Sequence, residues 1–137
     1  MPTLIDSNVL IDLVSANGDW SGWSSRELVR AASEGAAVIN QIVYAETAAY
    51  FTAGHRFDQA LASMMIQRED LPWAAAREAG MAHAAYRKNS GRRERVLPDF
   101  LIGAHAALMG YALLTRDAAR YRGYFPALAV IAPDSHP

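Results

Sequence analysis

The sequence predicts an α/β fold, a three-layer sandwich in which a short parallel sheet is flanked by helices, and three observations carry that prediction. Apolar runs of strand length alternate with longer segments of helical periodicity, the strand candidates are apolar on both faces, and no Pro/Gly/Ser linker divides the chain. With 137 residues, of which 52% are hydrophobic, the chain has enough apolar surface for one core, so 1–137 reads as a single domain.

The strand candidates are 3–6, 36–40, 112–115 and 128–131. Helical spacing covers 8–15, 24–34, 41–52, 57–68, 73–88 and 97–110, with a short helix after Asp117. Asn8 supplies a capping side chain to the first helix and Pro98 stands at the first turn of the last long one, a position that proline favours. In open parallel sheets ligands bind beyond the carboxyl ends of the strands, so residues closing the apolar runs carry the functional reading.

Composition excludes several chemistries. The chain has no cysteine, which removes disulfide frameworks, thiolate zinc sites and cysteine nucleophiles, and suits a reducing cytoplasm. No signal peptide and no run near the roughly 18 apolar residues of a membrane span is evident, so a soluble, cytoplasmic protein is expected. A formal charge of -1 gives no global attraction to a polyanion, and nucleic-acid contact has to be local. One basic segment offers it: Arg87, Lys88, Arg92, Arg93 and Arg95 crowd a stretch whose single acid is Glu94.

Four acids carry the chemistry. Asp6 closes the first apolar run and Asp117 follows the run that ends at Thr115, so two strand ends present a carboxylate on one rim. Asp99 falls in the first turn of a helix, where the helix dipole favours a carboxylate, and alone it reads equally as an ordinary helix-start acid. Glu46 shares a stripe at helical spacing with Ile42, Ala45, Ala49 and Tyr50, so it is expected to interrupt a buried face and to neutralise, find an arginine or other cation, or open onto a cavity. Two carboxylates about 4 Å apart repel by roughly 4 kcal/mol at an effective dielectric near 20, and a converging set therefore demands counter-cations. All-oxygen ligation, with neither cysteine nor paired histidines at helical spacing, points to Mg²⁺ or Mn²⁺.

In order along the chain these residues resemble the PIN-domain ribonucleases, and within them the VapC-type toxins of toxin–antitoxin pairs. The run TLIDSNVLID over 3–12 resembles the first family motif, with Asp6 leading and Ser7 where threonine is more usual. Tyr44, Ala45 and Glu46 resemble the second, PDFLIGAHA over 98–106 the third, and Leu114 to Asp117, followed by Arg120-Tyr-Arg and Phe125-Pro, the fourth and its tail. The resemblance implies a Mg²⁺- or Mn²⁺-dependent endoribonuclease, usually a homodimer, acting on RNA such as tRNA or rRNA and neutralised by a cognate antitoxin protein.

On that reading Asp6, Glu46 and Asp99 hold a cation and Asp117 helps with a second or orients water. Asn8 and Thr115 orient carboxylates or water, although simple capping also accounts for Asn8. Arg92, Arg93 and Arg95 are candidates for gripping RNA phosphates, with a solvated loop as the plain alternative. Arg116 and Arg120 either join them or pair with the acids. His83 and His105 are expected to be packing residues, Asp12 a surface residue, and Trp20 and Trp23 core caps or an antitoxin anchor.

Other α/β readings lack a residue each. A haloacid-dehalogenase-like site needs a second aspartate where Asn8 stands, a phospho-receiver needs a late lysine whereas Lys88 is the sole lysine, and no Gly-x-Gly-x-x-Gly turn follows the first strand. The remaining alternative is a non-catalytic RNA- or protein-binding member of the same fold, which would have no reason to keep four mutually repelling acids.

Overall fold

A computed structural model describes residues 1–15, 18–90 and 97–137. Its described residues form five parallel strands in the order β3-β2-β1-β4-β5, together with seven helices. In chain order these are β1 (Thr3–Ile5), α1 (Ser7–Val14), α2 (Ser21–Glu34), β2 (Ala37–Ile39), α3 (Gln41–Ala48), α4 (Gly54–Ser63), β3 (Ile66–Arg68), α5 (Trp73–Ser90), α6 (Leu97–Met109), β4 (Ala112–Leu114), α7 (Ala119–Tyr124) and β5 (Val130–Ile131).

The three central strands are buried on both faces because both are covered. Leu4, Ile5, Val38, Ile39, Leu113 and Leu114 are all core residues. The chain passes from β1 through β2 to β3, then back across to β4 and on to β5, and parallel connections of this kind take right-handed crossovers. The reversal of direction places α1 to α4 on one face and α5 to α7 on the other, which makes three layers. A second apolar cluster, Ala75, Ala79, Phe100 and Ala104, joins α5 to α6. No helix among the described residues is long and apolar enough to cross a membrane.

Two expected elements differ. The segment 57–68 is not one helix: α4 ends at Ser63 and β3 begins at Ile66. Met65 between them takes φ 58°, a left-handed conformation that no helix interior accommodates. In β3 only Ile66 is buried, while Gln67 and Arg68 are exposed, so this edge strand carries no apolar run by which to recognise it. The helix expected over 41–52 stops at Ala48.

The register fixes where ligands can meet the sheet. Leu4 pairs with Val38 on one side and Leu113 on the other, so the first residues past the three central strands are Asp6, Asn40 and Thr115. The chain runs from β1 to β2 first and reaches β4 only later, so the topological switch lies between β1 and β4. The Asp6 backbone N–H donates to Leu114 O across that junction at 2.9 Å.

Candidate active site at the carboxyl rim of the sheet

Asp6 is the N-cap of α1 and is 3% exposed. Its Oδ1 accepts the Ser7 backbone N–H at 2.7 Å, and its Oδ2 accepts Thr115 Oγ1–H at 2.8 Å and the Tyr121 hydroxyl at 3.0 Å. Asn8 Nδ2 lies 3.4 Å from the same Oδ2. Burial raises the Asp6 pKa to about 6; the Thr115, Tyr121 and Ser7 hydrogen bonds oppose the rise, and the charge of Asp99 adds to it.

The other three acids surround this one. Glu46 is exposed, with its carboxylate accepting Ser7 Oγ–H at 2.9 Å. Its pKa is raised by burial of the carboxyl end first and by the Asp99 charge as well, against the Ser7 bond. Asp99, in the first turn of α6, is raised mainly by burial and further by Asp117, while an ion pair with Arg120 holds it down. Asp117 is exposed, and its backbone N–H donates to Thr115 Oγ1 at 3.1 Å. Ser7 joins Asp6 to Glu46, the adjacent residues Tyr121 and Arg120 hold Asp6 and Asp99, and Thr115 joins Asp6 to the Asp117 backbone.

Glu46 does not interrupt a buried stripe, as expected from its spacing. Ala45, Glu46, Ala49 and Tyr50 are exposed, and Val43 and Thr47 form the buried side of α3. Its carboxylate reaches the site from the open side and needs no core partner.

Thr115 and Asn8 take orienting positions. Thr115 is fully buried, and its hydroxyl donates to Asp6 while accepting from Asp117 N–H and from Asn8 Nδ2 at 3.2 Å. Asn8 Oδ1 accepts the Arg116 backbone N–H at 3.2 Å. Thr115→Val keeps the shape and leaves these partners unsatisfied. We expect it to cost about 2–3 kcal/mol in urea unfolding and to lift the Asp6 pKa above its wild-type value of about 6 in an NMR carboxyl titration, with Thr115→Ser close to wild type.

Two site residues were not singled out from the sequence. Tyr121, buried at 3% exposure, reaches Asp6 from α7, and the Asp6 charge together with burial drives its own pKa far up, so it stays a donor. Ser7 links Asp6 to Glu46. The signal for both lay in motif positions read only as context, the residue after Asp6 and the tail after Asp117. Gly103 makes the approach of α7 possible: a Cβ there would stand 2.6 Å from the Phe125 ring and 3.0 Å from the Tyr121 ring.

Of the arginines proposed to hold substrate, Arg92, Arg93 and Arg95 lie outside the described residues. Arg116 Nε pairs with Asp12 Oδ2 at 2.6 Å, and its guanidinium lies over the Trp20 ring. Asp12, expected at the surface, is 1% exposed and also accepts Ser24 Oγ–H at 2.8 Å. Trp23 is a buried cap whose Nε1–H donates to His136 O.

His105 is a buried packing residue with a defined role. Asn40 Oδ1 caps α3 by accepting the Ile42 and Val43 N–H groups, so its Nδ2 is turned to His105 Nδ1 at 3.1 Å. An amide N–H can only donate there, which leaves the ring proton on Nε2, aimed at Glu69 Oε2 at 2.8 Å. This chain ties α3, which carries Glu46, to α6, which carries Asp99.

The acids and hydroxyls on this rim present oxygen donors alone. Among the described residues, no three His, Asp or Glu side chains form a ready-made cage for a metal ion. A Ca²⁺ site of six to eight oxygens is therefore not built here, whereas Mg²⁺ keeps most of its waters and takes one or two carboxylates plus a substrate phosphate. The donor set fits an ion of that kind.

The PIN domain model matches residues 3–125 of this chain. No curated protein matches it in sequence at a significant level. Among solved structures it is similar to VapBC2 from Rickettsia felis bound to a DNA fragment from their promoter, with TM-score 0.71 and 18% identity over 96% of this chain and 98% of that chain. It is also similar to FitAcB from Neisseria gonorrhoeae, with TM-score 0.65 and 20% identity over 98% and 99% of the respective chains. A toxin–antitoxin complex from Klebsiella pneumoniae gives TM-score 0.57 and 24% identity over 96% and 97%. Likeness at such identities speaks for the fold.

Proposed function

This chain belongs to the PIN domain family, and on that premise we propose that it is a Mg²⁺- or Mn²⁺-dependent endoribonuclease, the toxin of a toxin–antitoxin pair. The observation that supports the proposal is that Ser7 bridges Asp6 and Glu46 while the adjacent α7 residues Tyr121 and Arg120 hold Asp6 and Asp99 beside the sheet's switch point. A binding module gains nothing from holding acids in this way.

Asp6, Glu46 and Asp99 would share the cation through its coordinated waters as well as directly, since no three of the described carboxylates form a closed cage, with Asp117 at the open side aligning water or helping with a second ion. When bound, the divalent ion offsets charge on the phosphate and lowers the pKa of a coordinated water. Ser7, Asn8, Thr115 and Tyr121 hold the Asp6 and Glu46 oxygens in place. Arg92, Arg93 and Arg95 are assigned to RNA phosphates, whereas Arg116 is held by Asp12 and Trp20, and tRNA or rRNA is the substrate class.

One solved structure that it resembles is a toxin–antitoxin complex, which supports a cognate antitoxin as partner; a homodimer working in the cytoplasm completes the proposal.

The test is direct. Purified protein should cleave structured RNA with Mg²⁺ or Mn²⁺, stop on chelation and resume on adding the ion back, and Asp99→Asn should lose on the order of a hundredfold in rate while keeping a cooperative melt. Cleavage that persists in chelator, or in Asp99→Asn, would remove the site from the reaction.

A further inference from the structure

Two neighbouring residues of α7 occupy two of the four carboxylates. Tyr121 donates to Asp6, and Arg120 Nη1 donates to Asp99 Oδ2 in an ion pair. Arg120 also senses Asp117, whose charge favours the guanidinium. It therefore occupies a carboxylate oxygen of Asp99 that a divalent cation would also use.

The charge balance explains why it is there. Asp6 and Asp99, held by adjacent residues of α7, repel when both are ionised, and one guanidinium supplies part of the positive charge that they require. Its two side chains are 28% and 30% exposed, so water reaches the pair and takes up part of the guanidinium's solvation when it leaves. The backbone of α7 is held independently, by Tyr121 on Asp6 and by Tyr121 and Phe125 seated over Gly103. Only the Arg120 side chain has to swing.

We propose that Arg120 is an exchangeable counter-cation of the site: it holds the Asp99 carboxylate in the metal-free chain and gives it up to a divalent cation. This rests on the reading that the carboxylates take such an ion. A permanent structural ion pair would have the opposite signature, since its loss would loosen Asp99 and weaken ion binding. With a competitor removed, ion affinity rises instead.

Mn²⁺ binding is measured by calorimetry without RNA, on wild type, Arg120→Gln and Arg120→Lys. Arg120→Gln should bind Mn²⁺ about fivefold more tightly than wild type, melt lower without metal, and recover most of that loss at saturating Mn²⁺. Arg120→Lys, which keeps the charge but not the fork, should fall between. In wild type, Mg²⁺ should shift the Arg120 guanidinium ¹⁵N resonances, a reading that needs no variant to fold. Equal or weaker Mn²⁺ binding by Arg120→Gln, or guanidinium signals unmoved at saturating Mg²⁺, overturns the proposal. Tighter binding in a chain that cuts no RNA would sustain the exchange and remove the nuclease reading, whereas metal-dependent cutting with unaltered affinity would do the reverse. No Mn²⁺ binding by any of the three proteins overturns both.

Discussion

Asp6→Asn is expected to abolish RNA cleavage and, at pH 7, to make the folded chain harder to unfold. Asp6 is almost wholly buried, and its pKa moves from 3.8 to about 6. Such a rise means that the folded state binds the proton more tightly than the unfolded state does. Between about pH 4 and pH 6 the native chain holds more protons, so this group's contribution makes stability fall as pH rises through that window. Above it the ionised carboxylate costs about 3 kcal/mol relative to a neutral one. Asparagine keeps an oxygen for the Ser7 N–H but presents an amide to the Tyr121 hydroxyl, which can reorient to accept, and to Thr115, whose oxygen already accepts from Asp117 N–H and Asn8 Nδ2, so the lost bond offsets part of the gain and a net gain of about 1 kcal/mol is expected. Cleavage should fall on the order of a thousandfold, because an amide offers no charge to a cation. Urea midpoints at pH 4 and pH 7 check it: the variant should gain on wild type at pH 7 and lose the advantage near pH 4. A variant that unfolds earlier at pH 7 would show that the carboxylate's hydrogen bonds outweigh its burial cost.

The same burial explains what was legible in the sequence. Leu4, Ile5, Val38, Ile39, Leu113 and Leu114 are covered from both sides, so continuous apolar runs marked the central strands, and the rule for strand ends then placed Asp6 and Asp117 on one rim. The edge strand β3 was hidden because a single side chain of its three is buried. The face of α3 was misread for a related reason. Spacing alone singled out the stripe of Ile42, Ala45 and Glu46, whereas packing against the sheet buries Val43 and Thr47. Charge pairing was the least legible feature. Arg116 lies 104 positions from Asp12 and Arg120 lies 21 from Asp99, and no local pattern says which acid an arginine will find once the sheet assembles.

That Asp12 is buried sets up a second large effect. In Asp12→Ala, Arg116 loses a carboxylate at 2.6 Å and Ser24 loses its acceptor at 2.8 Å. Removing one member of a buried ion pair strands its partners, and a cost of about 3 kcal/mol follows, a fall of about 10 °C in Tm for a domain of this size. Since Arg116 is 27% exposed at its side chain, water recovers part of its solvation, so Arg116→Ala, which strands the buried acid instead, should cost at least as much. The loss should also reach the site. Asp12 lies on α1, whose first turn positions Ser7 and Asn8, and Arg116 follows Thr115 and gives its backbone N–H to Asn8. Slackening this clamp should raise KM and lower kcat together, because the oxygens around Asp6 are displaced without any of them being removed. The double variant Asp12→Ala/Arg116→Ala separates the two causes. It strands neither charge, so its stability should lie above the sum of the single losses by about 2 kcal/mol, whereas strict additivity would mean that the two side chains do not interact.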